Sequence, residues 1–286
     1  MIKLEKTEVM GLEPAIRGMR NPMNSWEKSD SQYCCGESCD DCDNFTACNP
    51  NYETYFKNFW AGGPVDCDYA IGPNDHELMM KLVKGGPVHA KFRRMITVYV
   101  DITAPLYWWK EFDTYKVGTV ANSCSTMHKI HAKEFTLEDF SCEKLTDRSL
   151  RMLSNCVITE LNYNRELFVN GWHGVPGDDS RDIKPGNKIY WDNMIQLLPS
   201  SYNQKRTVEL NYEVLAGIYP MRKNHKLDEW REFCKWIEAL PYSEVIIGAE
   251  TSFQEDLEFF VNDCTKAQLE ALYERVKEKL EVGDGK

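Results

Sequence analysis

The chain has 286 residues, 42% of them hydrophobic and 28% charged, which is the composition of a folded globular protein rather than a disordered one. Its net charge of −11 disfavours general binding to nucleic acids or anionic membranes, because both require a basic face. No apolar run approaches the ~20 residues of a membrane-spanning helix. The first residues lack a signal-peptide pattern, so we expect a soluble, cytoplasmic protein.

We expect one domain over residues 1–286, with a cysteine-rich insertion at about 31–68 and an exposed loop, rich in glycine and proline, at about 170–188. Within the insertion, the spacing Cys39-x-x-Cys42 and the neighbouring thiols are compatible with a tetrahedral zinc site. The second half of the cluster is not a regular pair, so free thiols are the alternative.

Local signals predict several elements in the first half of the chain. A short helix is expected over 13–20, and a helix beginning at 74–75 is stopped by Gly85-Gly86. The β-branched and aromatic run 95–103 predicts a strand. Ala104-Pro105 then opens a helix that continues to residue 113, because proline is tolerated in the first helical turn.

In the second half, we predict helices over 146–168, from 207 to about Pro220, over 227–240, and from a capping box at 265. The helix from 207 would place four residues on one face: Val208, Asn211, Leu215 and Ile218. Asn211 would then be an amide within an apolar stripe.

Three segments could bind an anion. Lys110 and Lys116 flank a run of hydroxyl and amide side chains at 119–126, which phosphate oxygens favour, although a solvated turn after a buried helix explains the same residues. Arg222 is expected beside the start of the next helix, where a dipole favours anions, or paired with an acid. The turn 86–94 is the only dense basic patch.

Read together, these segments resemble the flavin-dependent thymidylate synthases. The opening 8–20, with Ala15-x-Arg17-x-x-Arg20, is similar to the start of that family, and 195–225 resembles its LP…TVN…LR…HAQ stretch. The resemblance implies a mixed α/β (α+β) fold like that of the thymidylate-synthase-complementing proteins, with a central antiparallel sheet and flanking helices.

The same resemblance implies a homotetramer in which FAD lies against dUMP, with methylenetetrahydrofolate supplying the carbon and NADPH the hydride. The expected activity is FAD-dependent transfer of a one-carbon group to a pyrimidine deoxynucleotide, giving dTMP or a related 5-substituted product. The alternative is a non-catalytic nucleotide-binding protein with the same fold.

The resemblance also assigns residues. Arg222 is the expected catalytic residue, because it would steady negative charge on the pyrimidine carbonyl. The residues expected to bind the cofactor are His89, Thr114, Tyr115, Lys116, Asn211 and His225. Those expected to bind the substrate are Lys110, Glu111, Ser125, Thr126, Gln196 and Arg222.

The chain departs from the family signature RHRxxSxNxxSxR. Thr114-Tyr115-Lys116 stand in place of RHR, Thr119 replaces the first serine, and Met127 replaces the last arginine. Ile195 or Gln196 occupies the position of another nucleotide-binding arginine. Each lost arginine removes a charge-assisted contact of about 1.5–3 kcal/mol.

Overall fold

The computed structural model describes residues 2–33, 69–173 and 182–248. Its strands are β1 (Lys3–Met10), β2 (Gln32–Tyr33), β3 (Tyr69–Ala70), β4 (Thr97–Pro105), β5 (Val120–Ser123) and β6 (Asn203–Asn211). Its helices are α1 (Leu12–Arg20), α2 (Pro73–Lys84), α3 (Leu106–Phe112), α4 (Asp147–Met152), α5 (Thr159–Asn170), α6 (Lys188–Leu197), α7 (Tyr212–Arg222), α8 (Asp228–Glu238) and α9 (Glu244–Ile247).

A four-stranded antiparallel sheet in the order β1-β4-β6-β5 is the central sheet of the described residues. Along β4, every second side chain is 0% exposed: Val98, Val100, Ile102 and Ala104. These residues share one face of the sheet, and apolar side chains of α1, α2, α3, α7, α8 and α9 join the same core. The expected mixed α/β fold with a central antiparallel sheet and flanking helices is confirmed.

The first helix is positioned by a glycine that no other residue could replace without rearrangement. Gly11 has φ +91°, and a Cβ at this position would lie 2.2 Å from the carbonyl oxygen of Met95. The chain can therefore turn tightly from β1 into α1. The helix then buries Leu12, Ala15 and Ile16 in the core that it shares with the sheet, which confirms the helix expected near residues 13–20.

The aromatic helix α3 begins at Leu106 and confirms the predicted helix, although Ala104 and Pro105 end β4, so that Pro105 is the N-cap and does not lie in the first turn. Its side chains Trp108, Trp109 and Phe112 are at most 2% exposed within a single chain. The indole of Trp109 also donates a hydrogen bond to the carbonyl oxygen of Gln204, at 3.0 Å. These aromatic side chains are covered within a single chain, so the apolar stretch 106–112 gives no reason of its own to expect an oligomer.

The prediction of a helix from Thr207 is wrong, since residues 203–211 form β6 and α7 begins at Tyr212. Val208 and Leu210 point into the core with the two-residue period of a strand, and pairing with β4 over its full length holds them there. Asn211 is therefore not part of an apolar helical stripe. Its Oδ1 caps α7 by accepting a hydrogen bond from the Val214 amide at 3.1 Å.

Strand β5 was not predicted, because the segment 114–127 is polar and has no apolar alternation. All four β5 residues are exposed, and the strand is held by its pairing with β6, from Val120 opposite Glu209 to Ser123 opposite Arg206. Only the presence of β6 as a template makes this segment extended.

A second, smaller core lies among α4, α5 and α6. Its buried side chains are Ile130, Phe135, Phe140, Leu153, Ile158, Leu161 and Met194. The helix predicted over 146–168 is confirmed as α4 and α5, which are joined by the π-helical turn Leu153–Ile158. The hydroxyl of Thr146 caps α4 by accepting a hydrogen bond from the Ser149 amide.

Several predictions fall partly or wholly outside the described ranges. The ends of the expected insertion are joined, because β2 pairs with β3 through Gln32 opposite Ala70 and Tyr33 opposite Tyr69. Cys39 and Cys42, residues 174–181 of the loop at 170–188 and the helix from 265 lie outside the described residues. The chain divides into two units, Met1–Ile247 and Gly248–Lys286. No helix in the described part is long and apolar enough to cross a membrane.

Candidate functional site

Four of the predicted site residues are joined by direct contacts where the ends of α3 and α7 meet the start of α8. Glu111 lies near the end of α3, and Tyr115 follows three residues after that helix. Arg222 is the last residue of α7, and His225 lies in the turn that leads to α8. Trp230, in the first turn of α8, completes the group. We call these five residues the Glu111–Arg222 cluster.

The carboxylate of Glu111 is the centre of this cluster. Its Oε2 accepts hydrogen bonds from Nη1 of Arg222 at 2.5 Å and from the indole Nε1 of Trp230 at 2.9 Å. Nε2 of His225 lies 3.5 Å from the same oxygen. Three donors therefore converge on one carboxylate oxygen, which fixes the orientation of Glu111.

Arg222 is held on several sides. Its Nε donates to the hydroxyl of Tyr115 at 2.8 Å, and its Cζ lies 4.4 Å from the centroid of the Trp230 ring. The arginine side chain remains 17% exposed. A guanidinium that stacks on an indole and is bonded at two nitrogens has one preferred orientation, so this group is preorganised.

The tautomer of His225 follows from its neighbours. Nδ1 accepts a hydrogen bond from the backbone amide of Leu227 at 3.2 Å. In the neutral imidazole the hydrogen must then be on Nε2, which faces Glu111. His225 therefore acts as a donor towards the carboxylate.

Buried aromatic rings support the cluster from the core side. Trp230 is 0% exposed, and its ring centroid lies 4.8 Å from that of Trp108 and 5.8 Å from that of Phe233. Trp230 was not singled out from the sequence, because its spacing to Phe233 and Ile237 is that of an ordinary core stripe. No local signal marks it as a partner of Glu111 and Arg222.

The setting of Arg222 differs from the expectation in one respect. Arg222 was expected beside the start of a helix, but it ends α7, and residues 223–227 separate it from α8. The dipole at the end of α7 favours the cation itself rather than an anionic ligand. The electrostatics at Arg222 are therefore set mainly by Glu111.

Apart from Thr114, the remaining predicted residues make no side-chain hydrogen bond or ion pair to the Glu111–Arg222 cluster within the described ranges. Lys110, Thr114 and Lys116 are exposed around it, and the Thr114 hydroxyl donates to the Glu111 carbonyl oxygen at 2.7 Å. Other predicted residues are distributed over the molecule: His89 exposed on the turn after α2, Ser125 exposed and Thr126 half-buried after β5, Gln196 exposed on α6, and Asn211 at the start of α7.

One buried hydroxyl lacks a partner close to the predicted ligand-binding segments. Thr119 Oγ1 is buried and has no hydrogen-bond partner in the described part of the chain. At the preceding Gly118, with φ +76°, a Cβ would lie 3.2 Å from Nδ2 of Asn211. Gly118 therefore lies close to Asn211, the residue that caps α7, and Thr119 is the next residue along the chain. The unpartnered hydroxyl of Thr119 is available to bind a polar group of a ligand.

Neither thiol chemistry nor a metal centre is apparent around the cluster. Burial raises the pKa of the Cys234 thiol on α8 to about 11, so this thiol is neutral at physiological pH. The described ranges contain no group of three or more histidine, cysteine or acidic side chains that could hold a metal ion. The side chains of the cluster themselves offer hydrogen bonding and charge stabilisation.

The sheet order and the helices packed on one face define a mixed α/β fold with a central antiparallel sheet. No protein-family model and no curated protein sequence matches the chain. Thymidylate Synthase X (ThyX) from Helicobacter pylori, in a crystal structure with FAD and dUMP, matches with a TM-score of 0.52 and 14% identity over 87% of this chain and 98% of that one. At this identity the likeness shows a shared fold.

A second crystal structure of flavin-dependent thymidylate synthase ThyX from Helicobacter pylori, complexed with FAD and dUMP, covers the same shares of the two chains at 14% identity, with a TM-score of 0.49.

Proposed function

We propose that the protein binds a pyrimidine deoxynucleotide at the Glu111–Arg222 cluster and, with FAD, transfers a one-carbon group to it, converting dUMP to dTMP or a related 5-substituted product. The observation that carries this proposal is Arg222, which is preorganised by Glu111, Tyr115 and Trp230. The fold is shared with a thymidylate synthase that was crystallised with FAD and dUMP.

Arg222 has the properties of a group that stabilises developing charge. Its side chain is only 17% exposed and already oriented, so little reorganisation is needed when a pyrimidine carbonyl becomes more negative. Lys110, Ser125, Thr126 and Gln196 are the proposed contacts to the sugar and phosphate. Lysine and hydroxyl side chains can hold a phosphate with fewer directed hydrogen bonds than arginines do.

FAD, when bound, would supply the redox chemistry of the transfer, with NADPH and methylenetetrahydrofolate as co-substrates. The chain offers the exposed Lys116 as a point charge for the pyrophosphate and the unpartnered hydroxyl of Thr119 as a hydrogen-bonding group. His89, Thr114, Asn211 and His225 are the further proposed contacts. Because one lysine stands in place of the RHR signature, we expect FAD to bind weakly. The protein should then purify without bound flavin, and therefore colourless, but bind FAD that is added to it.

A non-catalytic nucleotide-binding protein is the second candidate. The observation that favours it concerns Tyr115, which stands at one of the RHR positions. Its hydroxyl already accepts a hydrogen bond from Nε of Arg222 at 2.8 Å. Titration calorimetry with FAD, together with the absorbance spectrum of the protein, distinguishes the two. If FAD gives no heat at high micromolar concentration, the flavin-dependent activity is excluded and nucleotide binding alone remains.

Replacing Arg222 tests the nucleotide site. We expect Arg222→Ala to weaken dUMP binding by about 30- to 1,000-fold, which corresponds to about 2–4 kcal/mol, because it removes a charged donor. Arg222→Lys should restore binding only in part, since one ammonium replaces a planar fork. Arg165→Ala is the matched control, because Arg165 is also half-buried and donates to a backbone carbonyl, that of His131, at 3.1 Å. Equal dUMP affinity in all variants would make Arg222 a structural residue.

We also propose that the protein assembles into a homotetramer, which rests on the family resemblance alone now that the aromatic stretch of α3 is buried within one chain. Light scattering tests this, and a mass near that of one 33.2 kDa chain at micromolar concentration would contradict it.

Zinc binding by Cys39 and Cys42 stays a prediction. Elemental analysis that finds well under one zinc per chain, after purification without chelator, would exclude it.

A further inference from the structure

Arg206 on β6 is held in one orientation by contacts on three sides. Its Nε donates to Oε1 of Gln204 at 3.0 Å, and its Nη1 donates to Oδ1 of Asp113 at 2.6 Å. Its Cζ lies 4.1 Å from the centroid of the Trp109 ring, and Trp109 is 1% exposed. A guanidinium that is stacked and bonded in this way has little side-chain freedom left to lose when it binds a ligand.

Arg206 keeps donor groups that no residue of the described ranges uses. Only an N–H on Nε and an N–H on Nη1 are engaged. Nη2 makes no hydrogen bond within the described ranges, and it is not among the buried polar atoms that lack a partner, so it reaches the solvent. The side chain as a whole is 15% exposed. A largely buried guanidinium that directs free N–H groups to the solvent suits a ligand with several acceptor oxygens.

Hydroxyl side chains lie beside Arg206 at the edge of the sheet. Ser123 of β5 is opposite Arg206, so the two side chains are on the same face. Gln204, which is 7% exposed, ties this strand end to β6, because its Nε2 donates to the carbonyl oxygen of Cys124 at 2.8 Å. Residues 125–126, which also carry hydroxyl groups, follow directly along the chain. An arginine next to several hydroxyl groups complements the oxygen atoms of a phosphate.

The ion pair with Asp113 leaves Arg206 available for a ligand. Asp113 is 50% exposed and contacts the guanidinium through a single nitrogen. Exposed ion pairs contribute little to stability. A phosphate dianion carries more negative charge than a carboxylate and can accept two parallel hydrogen bonds from a guanidinium, so it competes successfully with Asp113. No other acid forms an ion pair with Arg206 in the part of the chain that the structure describes.

We propose that Arg206, with Ser123 and residues 125–126, binds the phosphate of the nucleotide, and that the phosphate displaces the carboxylate of Asp113 from the guanidinium. This inference rests on the proposed function, because it takes a nucleoside monophosphate as the ligand. It assigns phosphate binding to a residue of β6 that stands at none of the signature positions, three of which have lost their arginine in this chain.

A comparison of dUMP with deoxyuridine, which keeps the base and the sugar but lacks the phosphate, tests this role. We expect Arg206→Ala to weaken dUMP binding by about 10- to 100-fold in calorimetry and to leave deoxyuridine binding unchanged, because only charge-assisted bonds to the phosphate are lost. Arg206→Lys should restore dUMP binding only in part, since one ammonium replaces a planar fork. The quantity to compare is the ratio of the deoxyuridine and dUMP dissociation constants.

Asp113→Asn distinguishes ligand binding from structural pairing, because the two roles predict opposite results. If the phosphate displaces Asp113, removal of the competing negative charge should tighten dUMP binding by about 3-fold or more and leave deoxyuridine binding unchanged. Weaker dUMP binding would show that the ion pair is required as a unit and would overturn the proposal. This variant keeps the test decisive even if Arg206→Ala does not fold.

Lys205→Ala is the matched control. Lys205 precedes Arg206 on β6 and carries the same charge, but it lies on the other face of the sheet, where its Nζ is 3.0 Å from Oδ2 of Asp101. The ratio of dissociation constants should be unchanged in this variant. Melting temperatures establish that each variant is folded.

The outcomes separate the inference from the function on which it rests. If Arg206→Ala keeps the wild-type ratio, the role of Arg206 is overturned while nucleotide binding stands. If the wild type binds neither dUMP nor deoxyuridine, the proposed function fails. Phosphorus NMR titration with deoxyribose 5-phosphate, which lacks the base, then decides the phosphate site. Binding that is lost in Arg206→Ala supports the site, and absence of binding by the wild type overturns it.

Discussion

Arg17 and Arg20 lie one turn apart on α1 but in opposite surroundings. The side chain of Arg17 is 69% exposed and approaches Glu13 at 3.7 Å, whereas that of Arg20 is 4% exposed and donates to Asp75 at 2.5 Å. The second oxygen of Asp75 accepts further bonds from the hydroxyls of Ser29 and Ser31. One arginine of the A-x-R-x-x-R stretch is thus a surface charge, and the other ties α1 to α2.

We predict that Arg20→Ala lowers the free energy of unfolding by about 3–5 kcal/mol, because it leaves the carboxylate of Asp75 buried without its charged partner. Arg17→Ala, the control on the same helix, should change it by less than about 1 kcal/mol, since exposed pairs contribute little. Urea unfolding of the two variants measures the difference. Similar losses in both would show that burial of the ion pair does not govern its contribution.

Asp75 also makes stability depend on pH. Burial opposes its ionisation, but hydrogen bonds from Ser31 and Ser29 and the charge of Arg20 outweigh this, so its pKa is lowered. The stabilisation from the ionised group is therefore complete above the unfolded-state pKa of about 3.9 and is lost as the pH falls through the lower, folded-state pKa.

Asp75→Asn should accordingly be less stable than wild type at pH 6, and the difference between the two should shrink as the pH is lowered below about 4. Chemical unfolding across this range measures it. Asp192→Asn, which removes an exposed partner of Lys188, should follow the wild-type profile at every pH. A constant difference between Asp75→Asn and wild type would mean that the carboxylate is not ionised in the folded protein.

At the scale of elements, the junction between β6 and α7 decides where the site lies. Pairing with β4 keeps the chain extended through Asn211, and the cap at Asn211 starts the helix whose last residue is Arg222. A shift of this start would rotate Arg222 by about 100° per residue around the helix axis. The cap therefore sets the position of Arg222 relative to Glu111.

We predict that Asn211→Ala destabilises the protein by about 0.5–2 kcal/mol, because the Val214 amide loses its acceptor. Asn211→Asp and Asn211→Ser should retain most of the stability, since both can cap a helix. Thermal unfolding compares the three. If Asn211→Ala leaves the melting temperature unchanged and instead weakens FAD binding, then Asn211 acts as a cofactor ligand rather than as a cap.

At the scale of the whole molecule, the sheet-centred core and the smaller core of α4 to α6 are separate sets of buried side chains. The two are linked where Leu106 and Tyr107, at the start of α3, donate backbone hydrogen bonds to Tyr202 and Ser200, both at 3.0 Å. The smaller core includes Met194 of α6, the helix that also carries Gln196. We therefore expect the packing of the smaller core to contribute to the stability of the protein.

Met194→Ala should cost about 2–5 kcal/mol of unfolding free energy, because Met194 is 0% exposed and its removal leaves a cavity. Met152→Ala is the control, since Met152 is 55% exposed in the same group of helices and should change stability by no more than about 0.5 kcal/mol. Denaturant unfolding measures both. A small loss for Met194→Ala would show that this core rearranges to fill the space.

The sequence by itself determined the elements that have strong local signals. Pro105 marked the start of α3, the β-branched run at 95–103 marked β4, and the apolar periodicity marked α1 and α8, because these signals act within one element. The resemblance to flavin-dependent thymidylate synthases then pointed to the fold. It also pointed to Glu111, Tyr115, Arg222 and His225, although not to their mutual contacts.

Only the tertiary structure decided the rest. Val208, Asn211, Leu215 and Ile218 fit a helical stripe in the sequence, but a nine-residue pairing with β4 makes the first half of that stripe a strand. Glu111 and Arg222 are 111 positions apart, and Trp230 reads as an ordinary core residue until α8 packs beside them. Hydrogen bonds between distant segments form only after the chain has folded, so no local pattern encodes the contact between Glu111 and Arg222.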